Sequence, residues 1–148
     1  MQYEIAESDW SALLALQRAT HATLQVLAAE LADLDLTASE INALANLADG
    51  HGHDHRRTVS ELGAAVGIRP TTLTSVLDRL ERRGYISRGA RPGDRRVVLI
   101  GLTASGQAAA DTIRQAISAL EARALATLPA AAIAGFRDAL EALTEVSA

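Results

Sequence analysis

No cysteine occurs anywhere in the chain, which removes disulfides, thiolate zinc sites and thiol-based redox switching from its chemistry at once. Met1 is the one methionine, so thioether oxidation offers no alternative switch. Lysine is absent too, while alanine and arginine abound; a GC-rich coding bias explains that pattern more simply than any function. No apolar run approaches the ~18 to 20 residues needed to span a bilayer. The opening MQYEIAESDW lacks the basic-then-apolar pattern of a secretory signal, so a cytoplasmic protein without membrane partners is expected. Also missing are a nucleophile elbow, a phosphate loop and a metalloprotease motif, and Ser and His nowhere suggest a triad. Neither an enzyme nor a cofactor is therefore expected. Repeats, linkers and low-complexity tracts are absent as well. What is present is 148 residues of 49% hydrophobic content, ample for one compact domain or the subunit of a small oligomer.

The informative stretch runs from Arg57 to Gly106. A short helix with Leu62, Ala65 and Val66 on one face can be capped by Ser60, and Gly67 is placed to end it in the left-handed conformation a tight helix-to-helix turn needs. Ile68 then serves as turn core. Pro70 suits the first turn of a second helix, whose Leu73, Val76, Leu77 and Leu80 repeat at i, i+3, i+4 and i+7. The opposite face carries Thr71, Thr72, Thr74, Ser75 and Arg79, with Arg69 just ahead; short hydroxyls and a cation there can reach base edges and phosphates. By itself such a face reads equally as solvated surface. Gly84 stops the helix. Two β-rich runs follow, Tyr85–Arg88 and Arg96–Ile100, around the turn-forming residues Gly89 to Asp94, which reads as a wing.

Charge separates the readings. Residues 56 to 96 hold ten arginines against four acids (Glu61, Asp78, Glu81, Asp94), a local +6 inside a chain of net charge −4, which leaves four arginines and fourteen acids elsewhere. That concentration points to a polyanion at one face. A winged helix used purely for protein contacts does not need it. A carboxylate placed among Arg91, Arg95 and Arg96, as Asp94 is, suits orienting a guanidinium better than meeting DNA phosphates. Arg82, Arg83 and Arg88 are weaker phosphate candidates, because Glu81 and Asp78 can pair with that surface.

The order VSELGAAVGI, then PTTLTSVLDRLERRGYISR, then Asp94-Arg95-Arg96 running into VVLIGLTASG, resembles the MarR (multiple antibiotic resistance regulator) family of bacterial transcription factors. The resemblance implies a homodimer on pseudo-palindromic double-stranded DNA, most often a repressor, released by a small organic effector bound between the helical lobe and the winged helix. It further implies that Arg96 enters the minor groove while Arg95 meets the backbone. The DNA-binding set expected is thus Arg69, Pro70, Thr71, Thr72, Thr74, Ser75, Arg79, Arg88, Arg91, Arg95 and Arg96, with Asp94 orienting the wing.

Outside this stretch the chain reads as helices. Residues 9 to 33 form one, with Ser8 as cap and Trp10, Leu13, Leu14, Leu24, Leu27 and Leu31 near one side. Thr37-Ala38-Ser39-Glu40 is a capping box opening a helix to Leu47 whose Ile41, Leu44 and Leu47 face the winged helix. Thr103 caps another, to Leu128, with Ile113, Ile117, Leu120 and Leu125; Pro129 begins the last, with Ile133, Phe136, Leu140 and Leu143. The expected fold is mainly α with a small β-hairpin wing (α+β): a winged helix-turn-helix over 37–103 and an all-helical dimerisation region from 1–36 and 104–148. Within the winged helix-turn-helix region, His51, His53 and His55 with Asp54 are the one cluster of metal-ligand types, and a metal-responsive regulator is the alternative reading. A solvated loop is the plainer account, since alternating residues between glycines lack ordering partners.

Overall fold

The computed structural model describes residues 11–49 and 56–146. They divide after Ala116 into two units. The first contains α1 (Ala12–Glu30), a 3-10 turn (Ala32–Leu34), α2 (Ala38–Ala48), β1 (Arg57–Thr58), α3 (Val59–Val66), α4 (Pro70–Arg82), β2 (Ile86–Arg91), β3 (Asp94–Leu102) and the start of α5 (Ala104–Ala124). The second holds the end of α5 and α6 (Ala130–Thr144). The mainly helical fold with a small sheet is as expected.

Helix limits follow local chemistry. Ser11 caps α1 by accepting from the Leu14 N–H; Ser8 and Trp10 lie outside the described residues. Thr58, not Ser60, caps α3: its Oγ1 accepts from Glu61 N at 3.1 Å and donates to Glu61 Oε1 at 3.0 Å. A T-x-x-E box two residues upstream of Ser60 wins because it satisfies donors from both partners. Gly67 (φ 71°) ends α3, and Pro70 stands at the start of α4, both as read from sequence. At the other end of α4, Gly84 (φ 76°) closes a Schellman motif in which Gly84 N donates to Glu81 O and Tyr85 N to Leu80 O. Thr103 Oγ1 accepts from Gly106 N at 3.0 Å and donates to Gly84 O, stitching the start of α5 to the end of α4. A Cβ on Gly106 would run into the Tyr85 carbonyl, so only glycine permits this approach. The long helix stops at Ala124 rather than Leu128.

The core lies wholly in the first unit. Leu27 and Leu31, then Ile41, Leu44 and Leu47, Leu62 and Val66, and Leu73, Val76, Leu77 and Leu80 are buried together with Ile86, Ile100 and Ile113. At about 1.5 to 3 kcal/mol for each fully buried aliphatic side chain, this cluster holds the helix-turn-helix together. Ala65 is exposed, and Leu13 and Leu14 are more than half exposed, contrary to the faces assigned to them. Among the described residues of the second unit none is buried, and Phe136 (47% exposed) and Leu143 (41%) are open.

The sheet is antiparallel in the order β1-β3-β2. β1 was not anticipated: Arg57 pairs with Ile100 and Thr58 with Leu99, and two residues are too short to show strand periodicity. The wing strands are also longer than the pattern suggested. Gly89, Ala90, Arg91, Asp94 and Arg95 lie in them, which leaves only Pro92 and Gly93 (φ 86°) as the turn.

Candidate nucleic-acid interface

Amphipathicity places the reading face. Because Leu73, Val76, Leu77 and Leu80 are at most 1% exposed, Thr71, Thr72, Thr74 and Ser75 are turned outward, and all four are exposed. Their hydroxyls are not equivalent. Thr74 Oγ1 donates to Pro70 O at 2.9 Å, which directs its proton into the helix, whereas Ser75 Oγ accepts from Arg79 NH1 at 3.0 Å. Arg69 is the N-cap residue of α4 but makes no side-chain cap bond, so the amides of the first turn keep their freedom to meet an anion.

The wing is irregular where its arginines sit. β2 and β3 run in register from Ile86↔Leu102 to Ala90↔Val98, and the next pair is Arg91↔Asp94, so Arg95, Arg96 and Val97 bulge from the ladder. Asp94 Oδ1 accepts from Arg96 N at 3.0 Å. Asp94 thus shapes the bulge through a backbone N–H, a correction to the expectation that it orients a guanidinium; among the described residues it pairs with none. Arg91, Arg95 and Arg96 remain exposed, with no ion pair among the described residues. Arg96, Val97 and Val98 border one open groove of about 370 Å³ with Thr58, Val59 and Ser60 of β1 and the start of α3.

Two expected DNA contacts have other engagements. Arg88 on β2 donates from NH2 to Asp78 Oδ1 at 2.5 Å and from Nε to Glu81 Oε2 at 2.8 Å. The hydrogen bond to Glu81, then that to Asp78, raises its pKa above the ordinary arginine value, and its charge is neutralised locally. Arg79 donates from Nε to Glu40 Oε1 at 2.7 Å. Arg83, a weaker candidate, donates to the carbonyls of Asp35 (2.5 Å) and Leu34 (2.7 Å) and lies over the Tyr85 ring at 5.2 Å, a structural staple on the 3-10 turn.

Glu40 is the residue the sequence reading missed. Its N–H is capped by Thr37 Oγ1 at 3.2 Å, as the box required, but its carboxylate does not return to Thr37. It is 3% exposed, the one buried charged side chain among the described residues, and its oxygens face Arg79 and Arg83 (3.8 Å) at the base of a shallow cleft of about 330 Å³. An acid opening an apolar helix directly under a predicted recognition helix was the available signal. His51, His53, Asp54 and His55 lie outside the described residues.

An outward hydroxyl row on the second helix of a helix-turn-helix, followed by a hairpin with unpaired arginines, defines a winged helix-turn-helix. Residues 34–97 match the model of the MarR family. The chain is 43% identical over 58 residues to the uncharacterised HTH-type transcriptional regulator YcgE of Bacillus subtilis (strain 168), a match covering 38% of each chain, so it spans well under half of that relative's length. The fold as a whole is similar to that of NadR, solved in complex with 4-hydroxyphenylacetate (TM-score 0.83, 22% identity, 93% of this chain and 95% of that one). It is similar also to CouR from Rhodococcus jostii RHA1 bound to p-coumaroyl-CoA (TM-score 0.79, 24% identity, 90% and 92%).

Proposed function

We propose that the protein is a sequence-specific DNA-binding transcriptional regulator of the cytoplasm rather than an enzyme, acting as a repressor that a small organic ligand releases from its operator. The observation that carries this reading is the exposed row Thr71, Thr72, Thr74 and Ser75 on a helix whose opposite face, Leu73, Val76, Leu77 and Leu80, is buried, together with the exposed wing cations Arg91, Arg95 and Arg96, which have no ion pair among the described residues. The hydroxyl row reads base edges in the major groove; the wing and Arg69 supply phosphate contacts. The likeness to the regulator YcgE supports the assignment. NadR and CouR, whose fold the chain shares, carry an aromatic acid and an aromatic acyl thioester, which supports an organic effector.

The working form is a two-fold homodimer built from 1–36 and 104–148. Phe136 and Leu143 expose apolar surface on a unit that buries none of its described residues, and a two-fold axis lets one such patch meet its own copy. Half-sites then lie ~10 bp apart or a multiple of that. Selection from random duplexes with the purified protein tests both statements: a palindromic consensus is expected, with a dimer mass in light scattering at micromolar concentration. Failure to enrich any duplex refutes the regulator; a monomeric mass refutes the dimer.

A further inference from the structure

The hydrogen bonds around Glu40 form a directed chain that ends on the reading face. Glu40 Oε1 accepts from Arg79 Nε at 2.7 Å, and Arg79 NH1 donates to Ser75 Oγ at 3.0 Å. Arginine suits the middle position because its planar guanidinium offers several N–H groups in a fixed fork, so one arm can be held while another points elsewhere. Burial makes the first link firm. A carboxylate only 3% exposed needs cations against it: Arg79 Nε donates to Glu40 Oε1, and Arg83 NH1 lies 3.8 Å from Glu40 Oε2. The Arg79 fork is thereby fixed, and with it the lone pair of Ser75 that it occupies.

This fixes what Ser75 can do. A serine hydroxyl has one proton and two lone pairs. With an N–H of a cation on one lone pair, the hydroxyl is polarised as a donor, and a second donor approaching it meets the guanidinium charge. Among the described residues its proton has no acceptor, unlike that of Thr74, which goes to Pro70 O. We propose that Ser75 is a specificity-determining donor and that Glu40 is a positioning residue acting on it through Arg79. The partner is a hydrogen-bond acceptor on DNA: a major-groove base acceptor such as purine N7, guanine O6 or thymine O4, or else a phosphate oxygen. Arg79, expected to touch DNA, acts instead on its neighbour. This rests on the DNA-binding reading above.

The test uses the full chain and the duplex that the wild-type protein enriches from a random pool. Ser75→Ala, Arg79→Lys and Glu40→Gln are compared singly and as the pairs containing Ser75→Ala. Lysine keeps a cation for Glu40 but has no second arm for Ser75, so Arg79→Lys breaks the chain even if Glu40→Gln fails to fold. Each single variant should weaken binding of the dimer about 25-fold, about fivefold for the one hydrogen bond lost in each protomer. In the pairs, the second substitution should add nothing. A merely structural Glu40 or Arg79 would lower the unfolding midpoint and weaken binding additively with Ser75→Ala. Acceptor source is read from two sets of duplexes, one with single bases that lack the N7, O6 or O4 acceptor and one with single methylphosphonates. The position at which Ser75→Ala no longer matters identifies a base or a phosphate respectively. Additive losses, or a Ser75→Ala protein that binds as wild type, overturn the inference while the regulator reading stands. A wild-type protein that enriches no duplex overturns both.

Discussion

Replacing Arg96 with alanine isolates the contribution of the wing. Arg96 is exposed and carries no ion pair among the described residues, and its place in the bulge is held through its backbone N–H by Asp94, so removing the side chain leaves that hydrogen bond in place. Each phosphate neutralised contributes ~0.9 to the slope of log K against log salt. A dimer presents two wings, so the slope should become shallower by ~1.8. Over a fourfold rise in salt, from about 50 to about 200 mM, wild-type affinity should therefore fall ~12-fold further than that of the variant. Fluorescence anisotropy on the selected duplex at five or six salt concentrations measures this directly. A variant with the wild-type slope would show that Arg96 does not meet phosphate, whatever its effect on affinity at one salt.

Three other outcomes follow from single contacts. Asp94→Asn keeps an oxygen for the Arg96 N–H and removes a negative charge beside DNA, so it should bind at least as tightly as wild type, while Asp94→Ala should bind more weakly; equal behaviour of the two would leave the hydrogen bond without a role. Gly106→Ala forces a Cβ against the Tyr85 carbonyl and should cost about 1 to 3 kcal/mol, or ~2 to 4 °C of thermal midpoint per kcal/mol; an unchanged midpoint would contradict the close approach of α5. Release from DNA should follow small aromatic acids and phenols with a coupling of ~1 to 3 kcal/mol, some 5- to 150-fold in affinity, and not peroxide, since cysteine is absent; release by zinc alone would transfer the switch to His51, His53 and His55.

What could be read in advance was whatever is local. Leu73, Val76, Leu77 and Leu80 announce their helix by period, Gly67 and Gly84 mark its borders by backbone conformation, and Thr103 marks the next helix by its cap. The misreadings occurred where a local pattern competes with a distant partner. Glu40 completes a capping box by spacing, yet its carboxylate goes to Arg79, 39 residues away, because α4 packs over α2 and a buried acid takes a cation before a backbone amide. Gly89 and Ala90 read as turn residues, yet they pair across to Leu99 and Val98. Main-chain pairing asks little of side chains there, and Pro92-Gly93 alone suffices to reverse the chain. Arg88 was legible in part: Asp78 and Glu81, three apart on one helix, share a side that β2 brings an arginine to meet.

These pairings change what the arginine count means. Six of the residues expected on DNA are arginines: Arg69, Arg79, Arg88, Arg91, Arg95 and Arg96. If all six met phosphate in each protomer of a dimer, the salt slope would be ~11, at ~0.9 per contact. Arg79 is held by Glu40 and Ser75, and Arg88 by Asp78 and Glu81. Freeing either for a phosphate means breaking bonds to carboxylates and leaving those charges beside the DNA, one of them buried. Four per protomer remain, which brings the ceiling from side-chain cations in this set to ~7. The unpaired charge then lies at the start of α4 and in the wing, where a duplex seated on the hydroxyl row passes between them. A measured slope near 7 or below agrees with this arrangement, whereas one near 11 would mean that Arg79 and Arg88 abandon their carboxylates on binding DNA.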